Sequence, residues 1–147
     1  MRRLPAGLLA LTLAAPPAAG QRGAPEEALV AVGVQAGSFG GLSVRLPART
    51  PRSVVLALNV GGEGRLLVAA ARQFDVRLPD SPLRLFVAPG AFAGREGGAA
   101  AVGALAFVGA GFYARRFDVF LQGVPGLRVF PRERPFVRAA VGIRYAL

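Results

Sequence analysis

At 147 residues the chain is long enough for one domain of ordinary size and too short for two. Its 18 basic residues are all arginines, and against eight acidic residues they give a formal net charge of +10. Histidine and cysteine are absent, which excludes Ser-His and Cys-His nucleophile pairs, imidazole or thiolate metal sites, and disulfides.

The first 20 residues have the pattern of a secretory signal peptide. Two arginines follow the initial methionine, residues 8–15 form a short apolar core, and residues 16–20 are small residues and prolines. A transmembrane helix would need roughly 20 apolar residues, which this segment lacks. We therefore expect an exported protein with a signal peptide at 1–20 and a single β-barrel domain at 21–147, which opens with a polar leader at 21–27.

After the leader, the chain divides into short extended runs separated by turn residues. In most runs apolar side chains alternate with Gly, Ala or polar side chains, which is the period of two of a β-strand. The predicted strands are Leu29–Ala36, Leu42–Leu46, Ser53–Val60, Arg65–Leu78, Leu83–Ala93, Ala100–Tyr113, Phe117–Arg128 and Phe136–Leu147. Eight strands, each near the roughly 9 to 11 residues that a tilted strand needs to cross a membrane, predict an all-β, antiparallel, up-and-down transmembrane barrel.

The last run shows the alternation most plainly. Val141 and Ile143 fall on one face, and Arg138 and Arg144 fall on the other. A soluble β-sandwich would also alternate, but its polar face would be rich in Lys, Glu, Thr and Ser rather than in Gly, Ala and single charges. The pattern favours a barrel whose apolar face meets lipid, since closing the sheet also pairs every backbone group.

The inward face carries the residues for which we predict a role. Eight strands leave an interior just wide enough for side chains, and pairing there would offset the cost of burying charge. The predicted polar network of the lumen comprises Arg45, Asp75, Arg84, Asp118, Gln122, Arg138 and Arg144. Aromatic residues at the ends of the runs predict girdles at the membrane surfaces, and these are Phe112, Tyr113, Phe117, Phe130, Phe136 and Tyr145.

Three places suggest departures from regular strands. Arg72 falls on the apolar side of its run, which predicts either a bulge that shifts the register or a run that is two-sided only at its end. Pro89 and Gly90 predict a kink in the fifth run, and residues 94–98, rich in glycine, predict an exposed turn.

The end of the chain resembles a known family. Gly142, Tyr145 and Leu147 are spaced like the carboxy-terminal assembly signal of bacterial outer-membrane β-barrels, and Asp118–Leu127 followed by a final strand resembles the closing hairpin of small OmpA-like barrels. Gly109–Tyr113 fits the preceding strand of that group. The resemblance implies a barrel in the bacterial outer membrane, with membrane lipids, the barrel-assembly machinery and periplasmic chaperones as partners. It implies no catalytic residues and no cofactor.

Three hypotheses for function follow. The first is a monomeric structural or surface-interaction barrel with a filled lumen, which contacts lipopolysaccharide or other surface components through Arg95, Glu96 and the turn at 131–135. The second is a narrow anion-selective pore, and the third is a soluble exported β-sandwich or barrel that binds a small apolar ligand. We favour the first because small barrels are usually filled. An enzyme is not expected, because the serines have no histidine base, and an exported chain seldom meets nucleic acid.

Overall fold

The structure, a computed structural model, describes residues 29–47 and 52–147. The predicted signal peptide, the leader and most of the turn predicted after the second run lie outside the described residues. Within residues 29–47 and 52–147 there is no helix with the length and apolar character needed to span a bilayer. The described chain forms eight strands: β1 Ala31–Gly37, β2 Gly41–Pro47, β3 Arg52–Gly61, β4 Arg65–Arg77, β5 Leu83–Glu96, β6 Ala99–Ala114, β7 Phe117–Phe130 and β8 Arg134–Ala146.

The strands join into one closed antiparallel barrel, in which each strand pairs with its neighbours in the sequence. The closing pair is β1 with β8, which runs from Ala31 opposite Ala146 to Gly37 opposite Ala140. This pair joins the two edges of the sheet, so that their backbone groups are paired within the barrel where β1 and β8 overlap. The predicted all-β, eight-stranded, up-and-down barrel is confirmed.

The wall of the barrel is uneven in height. β1 and β2 have 7 residues each, whereas β4 to β8 have between 13 and 16. The expectation that each strand is near 9 to 11 residues is therefore wrong at both extremes. β8 begins at Arg134 but meets β1 only from Ala140 onward, so the β1–β2 turn lies below the rim formed by the longer strands. We call this rim the opposite end of the barrel, and we call the end where β1 begins and β8 finishes the terminal end.

The β5–β6 hairpin has a shorter turn than the sequence predicted. β5 continues to Glu96 and β6 begins at Ala99, so that only Gly97 and Gly98 connect them. Their φ angles of 59° and 80° are the positive values that a two-residue type I′ turn requires, and glycine adopts them without steric cost. Glu96 is therefore part of a strand and is not the exposed turn residue that we expected.

The register is continuous where the sequence predicted irregularity. β3 and β4 pair without a shift past Arg72, so this side chain stays on the outer face with no bulge. Its guanidinium carbon lies 5.7 Å from the centre of the Phe74 ring, a cation–π contact that favours the outward position. β5 and β6 also pair without a shift through Pro89, so the predicted kink does not interrupt the ladder. The register shift lies instead between Val102 and Gly103, where β6 meets β7.

Apolar side chains fill the middle of the lumen. Phe39, in the low β1–β2 turn, points into the barrel and packs edge-on against Phe107 of β6, with 5.7 Å between ring centres. Phe120 of β7 covers Gly142 of β8, where a β-carbon would overlap its ring. Large inward side chains thus fit because small residues face them across this narrow interior.

Two phenylalanines of β6 test which face of the wall is packed. Phe107 is completely buried in the lumen, whereas Phe112 is an exposed residue of the outer face. We expect Phe107→Ala to lower the free energy of unfolding by about 3–5 kcal/mol, because it leaves a cavity among the other lumen side chains. Phe112→Ala is the matched control and should lower it by less than half as much. Denaturant titration followed by circular dichroism measures both, and equal losses would contradict the assignment of the two faces.

Candidate functional site

The lumen near the terminal end holds a network of buried charges centred on Asp118. This residue of β7 is only 2% exposed, and each of its two carboxylate oxygens accepts a hydrogen bond from an arginine. Oδ1 accepts from Nη2 of Arg84, and Oδ2 accepts from Nη1 of Arg144 at 3.0 Å. Arg144 stands directly opposite Asp118 on the paired strands β7 and β8, so local register alone brings these two together.

Arg84 extends the network to the other side of the barrel. Its Nη1 donates to Oδ1 of Asp75 at 2.6 Å, and the same oxygen accepts a bond from Nε2 of Gln73 at 2.8 Å. Arg84 is the second residue of β5, and Asp75 lies two residues before the end of β4, so both lie near the terminal end. A single guanidinium thus links β4, β5 and β7, a geometry that suits the planar, multiply donating arginine.

Aromatic rings also contact the buried arginines of this network. Arg45 is 2% exposed and donates from Nη1 to the hydroxyl of Tyr113. The guanidinium carbons of Arg45 and Arg84 lie 5.0 and 4.8 Å from the centre of the Tyr113 ring, and that of Arg144 lies 3.9 Å from the centre of the Phe120 ring. The guanidinium carbon of Arg84 also lies 5.2 Å from the centre of the Phe86 ring. Three arginines therefore share two aspartates and three rings, and the cation–π contacts stabilise the positive charge that the aspartates do not balance.

Arg138 does not join this network. It lies six residues before Arg144 on β8, which at about 3.3 Å per residue separates the two by roughly 20 Å along the strand. At the opposite end its Nη2 donates to Oε1 of Glu96 at 2.6 Å, and Nη1 of Arg128 donates to Oε2 at 3.2 Å. The predicted single network is therefore two separate clusters, because residues on one face of a strand can still lie far apart along it.

Gln122 has a different partner from the one that we predicted. Its Nε2 donates to Oε1 of Gln35 on β1 at 3.3 Å, and Nε2 of Gln35 donates to the backbone oxygen of Phe39 at 2.6 Å. The two amides fix the β1–β2 turn inside the lumen, and neither of these bonds involves an arginine or an aspartate.

Sequence reasoning missed several residues that complete these clusters. Tyr113 and Phe136 were predicted for the outer girdles, but Tyr113 binds Arg45 and Phe136 packs on Phe92 in the lumen. Glu96 was assigned to a turn. The alternation of faces could have located Glu96, because the inward residues of β5 have even numbers from Arg84 onward. Extending this strand past Gly94 would have placed Glu96 inside the barrel.

The residues of the predicted assembly signal lie along the closing strand. Gly142 faces the lumen beneath Phe120. Tyr145 lies on the outer face, where its ring is 5.3 Å from that of Phe117 in an edge-on contact. The backbone amide of Leu147 donates to the carbonyl oxygen of Val30 at 2.9 Å, which extends the closing ladder to the end of the chain. The role of these residues as an assembly signal stays a prediction.

Comparison of the chain with models of protein families, with curated proteins and with solved structures finds no match. The class of protein is therefore defined by the structure, as a closed eight-stranded antiparallel β-barrel with a charged and aromatic interior. The resemblance to OmpA-like bacterial barrels has no further support from these comparisons and stays a prediction.

The two aspartates of the network should differ in their contribution to stability. Asp118→Asn leaves Arg84 and Arg144 buried with less counter-charge, and we expect it to lower the free energy of unfolding by about 3–5 kcal/mol. Asp75→Asn leaves Arg84 paired with Asp118, so the expected loss is about 1–2 kcal/mol. Denaturant titration of both variants checks the order, and a larger loss for Asp75→Asn would contradict Asp118 as the centre of the network.

Proposed function

We propose that this protein is a small exported β-barrel of the bacterial outer membrane, with a structural or surface-interaction role and no catalytic activity. The observation that carries the proposal is the polarity of the wall. Large aliphatic side chains stand exposed on the outer face of all eight strands, among them Val34, Val60, Val68, Leu85, Leu121 and Val141. Arginines and aspartates are buried inside. Such a surface far exceeds the apolar patches of soluble monomers, and hydrocarbon is the solvent that suits it.

The low β1–β2 turn supports the same conclusion. Irregular backbone at membrane depth is tolerated only where protein groups satisfy it. The amide of Phe39 donates to the carbonyl of Ala139 at 3.2 Å, and the carbonyl of Ser38 accepts from Nη2 of Arg65 at 2.9 Å. The carbonyl of Gly40 accepts from the side chain of Asn59 at 2.7 Å. The turn is thus bonded to β3, β4 and β8, as a turn that lies below the rim in lipid requires.

Aromatic and basic residues lie where membrane surfaces would lie. Phe117 and Tyr145 are on the outer face at the terminal end, and Phe130 is on the outer face at the opposite end. Arg52 begins β3 at the terminal end, and its guanidinium carbon is 5.8 Å from the ring centre of Phe74. This placement resembles the aromatic girdles and the snorkelling arginines of membrane proteins.

The packed lumen argues against the pore and against the soluble ligand-binding barrel. Phe39, Phe107 and Phe120 are almost completely buried in the middle of the interior, where a conducting path or an apolar ligand would have to pass or bind. The structural role fits this filled interior better. Under it, the protein contacts outer-membrane lipids along its wall as a monomer, and barrel-assembly machinery and periplasmic chaperones bring it there. Arg95 and the turn at 131–133 remain exposed for surface contacts, whereas Glu96 does not belong with them.

Two leucine variants test whether the outer face meets lipid. Leu121 is 63% exposed and lies inside β7, whereas Leu83 is exposed at the first residue of β5. In phospholipid vesicles we expect Leu121→Arg to lower the free energy of unfolding by about 2–4 kcal/mol and Leu83→Arg by about 0–1 kcal/mol, since the cost of arginine falls towards the interface.

Gel mobility before and after boiling reports the folded fraction of each variant in a denaturant series. In a soluble barrel both leucines would meet water, and both substitutions would change stability by only about 0.5 kcal/mol. A wild-type protein that folds as a monomer in plain buffer without detergent, together with equal behaviour of the two variants, would refute the proposal.

Planar-bilayer recording tests the pore alternative. We expect no steady single-channel openings from the wild-type protein, because the aromatic side chains of the middle layer block the lumen. The double variant Phe107→Ala/Phe120→Ala lacks two of these rings, and its recording is compared with that of the wild type. Steady anion-selective openings of the wild type, lost in Arg84→Gln, would instead favour a pore.

A further inference from the structure

The opposite end of the barrel contains a cleft that the proposed function does not use. Its volume is about 330 Å³, and it lies between the ends of β5, β7 and β8. The polar side chains that line it belong to Glu96, Arg128, Arg134 and Arg138, and the ring of Phe136 forms part of its wall. We call these four polar residues the mouth cluster.

The mouth cluster carries more positive than negative charge. Glu96 is its one carboxylate, and it is already bonded to Arg128 and Arg138. Arg134 forms no ion pair within the part of the chain that the structure describes. A second negative charge in the cleft would therefore be stabilised by several guanidinium groups.

The pairing of β7 with β8 brings two of these positive charges close together. Arg128 and Arg134 stand directly opposite each other in the ladder. Like charges in this position destabilise a strand pair unless a counter-charge lies between them. Nε of Arg128 and Nη1 of Arg138 are buried and, among the described residues, have no hydrogen-bond partner. The mouth cluster thus holds buried guanidinium donors that no acceptor in the described part of the chain satisfies.

Arg138 is held in place before any ligand binds. Its guanidinium carbon lies 4.7 Å from the ring centre of Phe136, and that ring packs edge-on against Phe92 at 5.6 Å. Phe136 can lie here because Gly126 faces it across the β7–β8 ladder, where a β-carbon would overlap the ring. The stacked ring and Glu96 fix the guanidinium, so little side-chain entropy is lost when an anion binds.

We propose that the mouth cluster is a binding site for a phosphate group, either of a free phosphate compound or of a phospholipid headgroup. The donors are the guanidinium groups of Arg128, Arg134 and Arg138. Before an anion binds, Glu96 is bonded to Arg128 and Arg138 and lies between their positive charges. Free phosphate or a phosphate monoester suits the cluster because it offers at least three free oxygens and up to two negative charges, whereas a carboxylate offers two oxygens and one charge. A phosphodiester headgroup also offers two free oxygens and one charge, and its fit depends on the arginines outnumbering Glu96. The site requires the closed barrel but does not require insertion in a membrane.

Calorimetric titration of inorganic phosphate into the purified protein, folded in a nonionic detergent, tests the site. We expect saturable binding that Arg134→Gln weakens by about tenfold, because one charge-assisted contact is lost. Glu96→Gln should strengthen binding by a factor of about three to ten, because it removes the competing carboxylate. The two variants change the affinity in opposite directions, which a general loss of folding would not do.

Arg132→Gln is the matched control. Arg132 lies in the same hairpin and loses the same charge, but its side chain does not line the cleft. We expect its effect on the affinity to stay below about twofold, since a solvated charge outside the site is screened by salt. Equal losses in Arg132→Gln and Arg134→Gln would show attraction by net charge alone and would overturn the proposal.

Mixed micelles that carry phosphatidylglycerol distinguish the two sources of phosphate. If free phosphate binds and the binding depends on Arg134, a soluble phosphate compound is sufficient to occupy the site. Binding only of the micelle-presented lipid, again weakened by Arg134→Gln and not by Arg132→Gln, identifies a headgroup. Binding of neither probe overturns the proposal. If the protein folds without detergent, the membrane hypothesis is wrong, but the same titration in plain buffer still shows whether the mouth cluster binds phosphate. The two proposals can therefore fail independently.

Discussion

The structure depends on one constraint, the pairing of the first strand with the last. The ladder from Ala31 opposite Ala146 to Gly37 opposite Ala140 turns an open sheet into a barrel and removes its edges. Only closure gives the wall an inside, and only an inside allows Asp118 to lie between arginines from two different strands. The charged network in turn links strands across the lumen, so closure and charge pairing stabilise each other.

The interior is arranged in three levels along the barrel axis. The terminal end holds charges that carboxylates and aromatic rings largely neutralise, and the middle holds packed phenylalanines such as Phe39 and Phe107. The opposite end holds a cluster in which Glu96 is outnumbered by arginines. This order explains why one barrel can have a filled interior and still hold an excess of positive charge at one mouth. The apolar level also separates the two charged ends, so that a ligand at the mouth need not disturb the network around Asp118.

The uneven height of the wall distinguishes this fold from a regular barrel. A regular barrel would place all its turns at two rims, but the short β1–β2 hairpin places Phe39 within the lumen. Gln35 and Gln122 then hold this turn, although nothing in their spacing indicates such a partner. The same shortening leaves the first part of β8 without β1 beside it, and Arg138 lies in that part, next to the cleft.

The amino-acid sequence was sufficient to predict the number of strands, their antiparallel order and the face of most side chains within them, because a period of two is a local property of extended backbone. It placed Arg84, Asp118 and Arg144 inside before any partner was known. The tertiary structure alone decided which inward residues meet, since contact also requires the same level along the axis. That level depends on register and strand length, which put Arg138 beside Glu96 and roughly 20 Å along the strand from Arg144.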